Sequence, residues 1–296
     1  MLRLHMKGKN FMPNREERKL HAEDTIEIVK KGWYDFNFGT RQIFLNNTKN
    51  SELWMQKDLD VLVQKNNFPL NFSNTKMEMR QESVIDTIFA LQKDGTNGER
   101  IGILNFASAY NPGGGFINGS MAQEEAMAYA SDLYFQQQGS DYYKINKNEK
   151  SKLYTDTAIF SKVTFFRDSN FYLVPEPYAV NVITCPAVNM SAISDSDAKR
   201  ANDVMYERMK KILSLFAEKS CSTIVLGAWG CGVFRNCPRR IAKNWNQLLR
   251  DEKMQQYFEQ IIFTVLASSK EIDTLKAFNA LVREDFTYGE RNDKNA

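Results

Sequence analysis

Apolar residues change their spacing near residue 100. Upstream the chain is polar, and apolar positions recur at helical spacing over 15–31, 51–65 and 77–93, separated by aromatic and Asn-rich loops, which predicts three helices. Downstream, short β-branched or apolar runs at 101–106, 163–166, 179–184, 223–226 and 261–266, each bounded by Gly, Pro, Asn or Asp, predict strands. Helical patterns at 122–137, 197–218 and 239–251 lie between them. This alternation predicts an α/β fold, a mixed sheet flanked by helices on both faces. An N-terminal helical extension over 1–95 would pack on a core domain of 96–296. No internal repeat or low-complexity linker interrupts the pattern.

Composition narrows the class. With 296 residues, 43% hydrophobic and 12% aromatic, the chain can bury a substantial core. No apolar run approaches the roughly 18–20 residues that cross a bilayer, and the start MLRLHMKGKN lacks the apolar core of a secretion signal. A soluble cytoplasmic protein is expected, or a nuclear one if the source is eukaryotic. Cys185, Cys221, Cys231 and Cys237 form no CxxC pair and have no histidine nearby, which argues for free thiols and against a zinc site. The net charge is +3, from 39 basic and 36 acidic residues, and Arg235, Arg239 and Arg240 are the one basic cluster, so duplex DNA binding is not expected. Both histidines, His5 and His21, lie near the start, so a Ser-His-Asp triad or Cys-His pair would have to borrow from that segment. Acid–base chemistry would fall to carboxylates.

The most unusual stretch is NPGGGFINGSMAQEE, from Asn111 to Glu125. It follows IGILNF, a buried strand by pattern, and so leaves the C-terminal end of a strand, where open α/β sheets form their ligand crevices. Gly113, Gly114 and Gly115 permit positive φ and close approach to the main chain. Their N–H groups suit an anion such as a diphosphate, although a tight turn would use glycine too. Ser120 and Gln123 fit a capping box, which would start a helix at Met121 with Glu124 and Glu125 in its first two turns. Adjacent helical side chains diverge by about 100°, so this pair would not share a proton, and at most one would aim at a bond being broken. A helix N-terminus favours ionised carboxylates, whereas a general acid needs its proton, which burial or neighbouring negative charge can restore.

A second glycine-rich element, TIVLGAWGCGVFRNCP, leaves another apolar strand with Gly227, Gly230 and Gly232 interleaved with Trp229 and Phe234. Two such loops would enclose one phosphate-rich ligand, with Phe234 on a sugar or base face or else in the core. Neither loop matches the P-loop or dinucleotide fingerprints, which argues against ATP and NAD folds.

NFASAYNPGGG, a seven-residue gap, QEE and the downstream VLGAWGCGVF together resemble the microbial-type poly(ADP-ribose) glycohydrolases, which are macrodomain proteins. HAEDTIEIVKKGWY, LYTDTAIFSKVTFFRD and YAVNVITCPAVN extend the resemblance over most of the chain. It implies a macrodomain-like sheet and hydrolysis of the ribose–ribose glycosidic bond, releasing ADP-ribose. By position it implies Glu125 as the catalytic acid and Glu124 as the holder of the ribose hydroxyls. Gly113, Gly114 and Gly115 would lie beside the distal ribose and diphosphate, Gly230, Cys231, Gly232 and Val233 would form the second diphosphate loop, and Phe234 would cover the ribose. Ser108, Asn111 and Gln123 join the substrate-binding set. No metal or cofactor is implied, and the partner is poly(ADP-ribose) or an ADP-ribosylated protein, met by a monomer. The same loops without acid catalysis would make an ADP-ribose reader, and removal of single ADP-ribose from protein or DNA is a further alternative. The intact QEE favours the enzyme.

Overall fold

Helix α1 (Arg15–Lys31) forms where the pattern predicts it, because both ends carry their stop signals. Asn14 accepts from the Glu16 and Glu17 N–H groups, Glu17 reaches back to the Asn14 N–H at 2.8 Å, and Gly32 closes the helix at φ 74°. The computed structural model describes residues 13–37, 39, 41–46, 48–65, 67–266 and 272–283. His5 and the opening MLRLHMKGKN fall outside them.

After α1 come a hairpin, β1 (Trp33–Phe36) and β2 (Arg41–Phe44), then β3 (Ser51–Trp54), α2 (Gln56–Val63), β4 (Lys76–Arg80) and α3 (Val84–Lys93). The expected helices over 51–65 and 77–93 therefore each begin as a strand. In KMEMR the methionines alternate with charged residues, a period of two that is too short to stand out beside the helical pattern that follows. The remaining elements are β5 (Ile101–Phe106), α4 (Gln123–Ala130), α5 (Leu133–Gln137), α6 (Asp141–Asn148), β6 (Ala158–Arg167), β7 (Leu173–Cys185), α7 (Ala198–Glu218), β8 (Thr223–Gly227), α8 (Pro238–Asn246), β9 (Gln260–Thr264) and α9 (Ile272–Arg283).

Among the described residues the main sheet has seven strands in the order β3-β6-β7-β5-β8-β9-β4. Pairing is antiparallel at β3-β6 and β6-β7 and parallel from β7 through β4. Both edge strands come from the residues before 96. Strand β5 shows why the sheet is covered twice. Ile101 and Ile103 pack on one face with Val163, Val182, Val225 and residues of α3 and α4, while Leu104 joins α7, α8 and α9 on the other. Burying each such side chain stabilises the fold by about 1.5–3 kcal/mol. At Gly102 a Cβ would stand 2.5 Å from the Phe216 ring, so any larger residue there would push α7 off the sheet. No helix among the described residues is long and apolar enough to cross a membrane.

The parallel pairing of β5 with β8 has a direct functional result. It brings the loops after both strands out side by side at the same end of the sheet.

Candidate active site

The first glycine loop is folded around carboxylates. Gly113 and Gly114 both take φ 61°, a conformation that side chains rarely adopt. A Cβ on Gly114 would lie 2.5 Å from Glu125 Oε1 and 3.0 Å from Glu124 Oε2, so the two glutamates converge on this one bare backbone position despite their helical divergence. Glu125 is 9% exposed. Its Oε1 accepts from the Gly115 N–H at 2.8 Å and its Oε2 from the Ala122 N–H at 2.9 Å.

That second contact revises the helix start. Ala122, extended at φ −134°, is the N-cap of α4, and Glu125 supplies the reciprocal half of a capping box that Ser120 and Gln123 were expected to form. Gln123 instead extends the sheet's own bonding: its Nε2 donates to the Leu104 carbonyl and its Oε1 accepts from the Phe106 N–H, both at 2.8 Å. This pins the first turn of α4 to β5.

Glu124 is buried more deeply, at 3% exposure. Oε1 accepts from Asn105 Nδ2 (3.0 Å) and Gln137 Nε2 (3.1 Å), and Oε2 from the Ser108 N–H (2.7 Å). Burial pushes its pKa up to about 8; the Ser108, Asn105 and Gln137 donors oppose the rise and the Glu125 charge adds to it. Burial thus outweighs the hydrogen bonds that favour the ionised form. Asn105 and Gln137 also both donate to Thr184 Oγ1, making a polar knot under the carboxylate.

Sequence reading missed Asn105, Gln137 and Thr184. Asn105 was visible as the one polar residue of IGILNF, but Gln137 depends on a break in the helix expected over 122–137. Ser131, the extended C-cap of α4, bridges Phe165, and its Oγ accepts from the Leu133 N–H at the start of α5. Asp132 then accepts from the Thr164 N–H and from Gln136 Nε2. The break re-aims α5, and Gln137 reaches both Glu124 and the Gly113 N–H, which it binds at 2.6 Å.

The amides of the first loop are consequently occupied. Gly113 donates to Gln137, Gly114 to the Asn111 carbonyl at 3.0 Å, and Gly115 to Glu125. The expectation that these N–H groups face an anion is corrected: they hold the loop on its own side chains. Ser108 is similarly engaged, its Oγ accepting from the Tyr110 and Asn111 N–H groups, while the Asn111 side chain is exposed.

The second loop is arranged the other way. Gly230, at φ 74°, is crowded by Ala187 and by Asn236, whose Nδ2 ties the loop base to the Val188 and Gly230 carbonyls at 2.8 and 3.1 Å. Among the described residues the N–H groups of Gly232, Val233 and Phe234 have no acceptor, and Val233 is 81% exposed. Consecutive unpaired amides form a concavity suited to an anion. Phe234 packs against Tyr154 (ring centroids 5.9 Å apart), which meets Tyr110 edge-on at 5.5 Å. An aromatic row therefore joins the two loops, and neither tyrosine was singled out from the sequence.

With this geometry the chain compares closely with solved bacterial structures. Residues 22–168 match the family described as microbial-type PARG, catalytic domain. The crystal structure of poly(ADP-ribose) glycohydrolase (PARG) from Thermomonospora curvata is 32% identical, with a TM-score of 0.85 over 90% of this chain and 100% of that one. The chain belongs to the microbial-type PARG family. The Thermomonospora curvata enzyme bound to the inhibitor ADP-HPD aligns with a TM-score of 0.81 at 32% identity, covering 90% of this chain and 99% of that one. PARG from Deinococcus radiodurans in complex with ADP-ribose is 35% identical, with a TM-score of 0.71 over 79% of this chain and 94% of that one. No curated protein matches the chain. In this chain the N-terminal helix belongs to the site's frame: Arg15 Nε donates to the Asn118 carbonyl (3.0 Å) and Arg18 Nε to the Gly119 carbonyl (2.8 Å), bracing the first loop from behind.

Proposed function

We propose that the chain hydrolyses poly(ADP-ribose) to ADP-ribose with Glu125 as both general acid and general base. Family membership makes it a glycoside hydrolase, and the assignment of the acid rests on one observation. Both oxygens of Glu125 are fixed by the Gly115 and Ala122 N–H groups, and the bare Gly114 leaves the carboxylate the room that a side chain there would take.

The ribose–ribose bond breaks through an oxocarbenium-like state, so the leaving 2′-oxygen needs a proton and the sugar cation needs negative charge nearby. Glu125 gives its proton to that oxygen as the bond opens. The resulting carboxylate then takes a proton from the water that adds to the anomeric carbon, which restores the acid. Glu124, beneath it, holds the ribose hydroxyls, and the unpaired amides of Gly232, Val233 and Phe234 take the diphosphate, folding it toward the cation. Phe234 covers the sugar, backed by Tyr154 from the α6–β6 connection and, behind it, Tyr110 of the first loop. One carboxylate serving twice departs from the usual two-carboxylate glycosidase.

The test pairs release of ADP-ribose from polymer with calorimetric ADP-ribose affinity, in wild type and Glu125→Gln. The amide keeps the shape and removes the acid, so release should fall by at least about 100-fold while affinity stays near that of wild type. Release that survives in the variant would take the acid role from Glu125. Binding without release in wild type would leave a reader.

A further inference from the structure

The basic cluster noted in the sequence is not used by the site above. Arg239 and Arg240 open α8, and Lys243 lies one turn later. All three line a cavity of about 630 Å³ between α7 and α8, within the range of ~300–1,000 Å³ typical of small-molecule sites. The cavity shares no lining residue with the first glycine loop or its glutamates, yet Cys237 lies on its wall, immediately after the Asn236 that ties down the second loop. The proposed diphosphate loop therefore runs directly into the groove.

The opposite wall carries Asp203 and Glu207 from α7. Neither forms an ion pair with Arg240 or Lys243 among the described residues, although both charge types face the same space. Arg240 and Lys243, without an ion pair beside two carboxylates, do not describe a closed salt-bridge network. The mixture fits a ligand that is itself mixed, with phosphate oxygens to meet guanidinium and ammonium groups and sugar hydroxyls to donate to carboxylates. An ADP-ribose unit is such a ligand.

The geometry points to a second subsite: the α7–α8 groove binds the diphosphate and ribose of an ADP-ribose unit that adjoins, in the polymer, the one held at Glu125. The inference rests on the glycohydrolase reading and extends it to substrate length. A single ADP-ribose fills only the first site, so the groove acts on polymer and leaves monomer affinity alone.

The experiment uses the full chain carrying Glu125→Gln, so that polymer stays intact, with and without Arg240→Glu and Lys243→Glu together. Both are exposed, so charge reversal spares the core. Affinity for long polymer, read by fluorescence anisotropy, should weaken about tenfold, and the slope of log Kd against log salt should drop by about one. Calorimetric affinity for ADP-ribose should change by less than about twofold. Unchanged polymer affinity in the double variant would overturn the proposal, and so would an equal loss for monomer and polymer, because the cations would then serve the first site or the fold. Hydrolysis by the otherwise wild-type chain is followed separately. Its absence would sink the glycohydrolase reading, while the length dependence of binding would still report on the groove.

Discussion

Two glycine-rich loops leave adjacent parallel strands at the same end of the sheet, and they use glycine for opposite ends. In the loop after β5 the amides of Gly113, Gly114 and Gly115 turn inward to Gln137, to the Asn111 carbonyl and to Glu125. In the loop after β8 the amides of Gly232, Val233 and Phe234 have no acceptor among the described residues. The first loop is an acid holder made by removing side chains. The second leaves its donors open, as the proposed diphosphate cup requires. A glycine-rich motif therefore says that backbone is exposed to something, and only the surrounding partners say to what.

The sharpest way to break this comparison is one methyl group in each loop. At Gly114 an added Cβ meets the Glu125 carboxylate at 2.5 Å, on a backbone at φ 61°. Gly114→Ala should lower kcat/KM by about 100-fold or more, because shifting a reacting group by an ångström is enough for that. At Gly232 nothing lies within 4 Å of an added Cβ, and the backbone is not left-handed. Gly232→Ala should stay within about threefold of wild type, as surface substitutions usually do. Comparable losses in the two variants would mean that both loops work by close packing.

A second effect separates the buried glutamate from its neighbour. Glu124 has a folded-state pKa near 8, well above the ordinary carboxylate value of 4.5. A raised pKa means that stability is complete at low pH and is lost as pH rises towards 8, since the unfolded chain ionises first. At roughly 1.4 kcal/mol per unit the loss is on the order of a few kcal/mol. Glu124→Gln keeps the shape without the charge, so its melting temperature should fall less than that of wild type between pH 5 and pH 9, scanning in steps of about one unit. Parallel curves would show that Glu124 is solvated in the folded protein.

Much of the fold was legible because period and punctuation agree. Helix α1 has both caps written in its sequence, and β5 is a clean apolar run between turn signals. The failures have physical causes. Strands β3 and β4 are short edge strands that run into helices, so local spacing favours the longer element. The interruption at Ser131 depends on a bridge to Phe165, a contact made only after β6 is in place. Within the site, the meeting of GGG with the two carboxylates of QEE was legible, whereas the direction of the amides was not. Gly113 turns inward because Gln137 waits there, 24 positions along the chain.

The smallest predicted effect tests whether the first loop's rigidity comes from α1. His21 lies on that helix, its ring 4.8 Å from Phe171, within the cluster of Phe116 and Tyr129 that underlies the loop. Burial and then the Arg167 charge push its pKa down to about 4, with Asp24 and Glu17 opposing. A depressed pKa gives stability that is present above the unfolded value of 6.5 and is lost as pH falls towards 4, since only the unfolded chain takes the proton readily in that window. His21→Asn cannot gain that proton, so its melting temperature should fall less than that of wild type between about pH 7 and pH 5. Hydrogen exchange locates the effect. In the wild-type protein at the lower pH, the Gly113 and Gly115 amides should lose protection before those of β8, because α1 braces their loop through Arg15 and Arg18. Simultaneous loss at both places would mean that the first loop is held by the sheet alone, and that the inward turn of its amides owes nothing to the N-terminal helix.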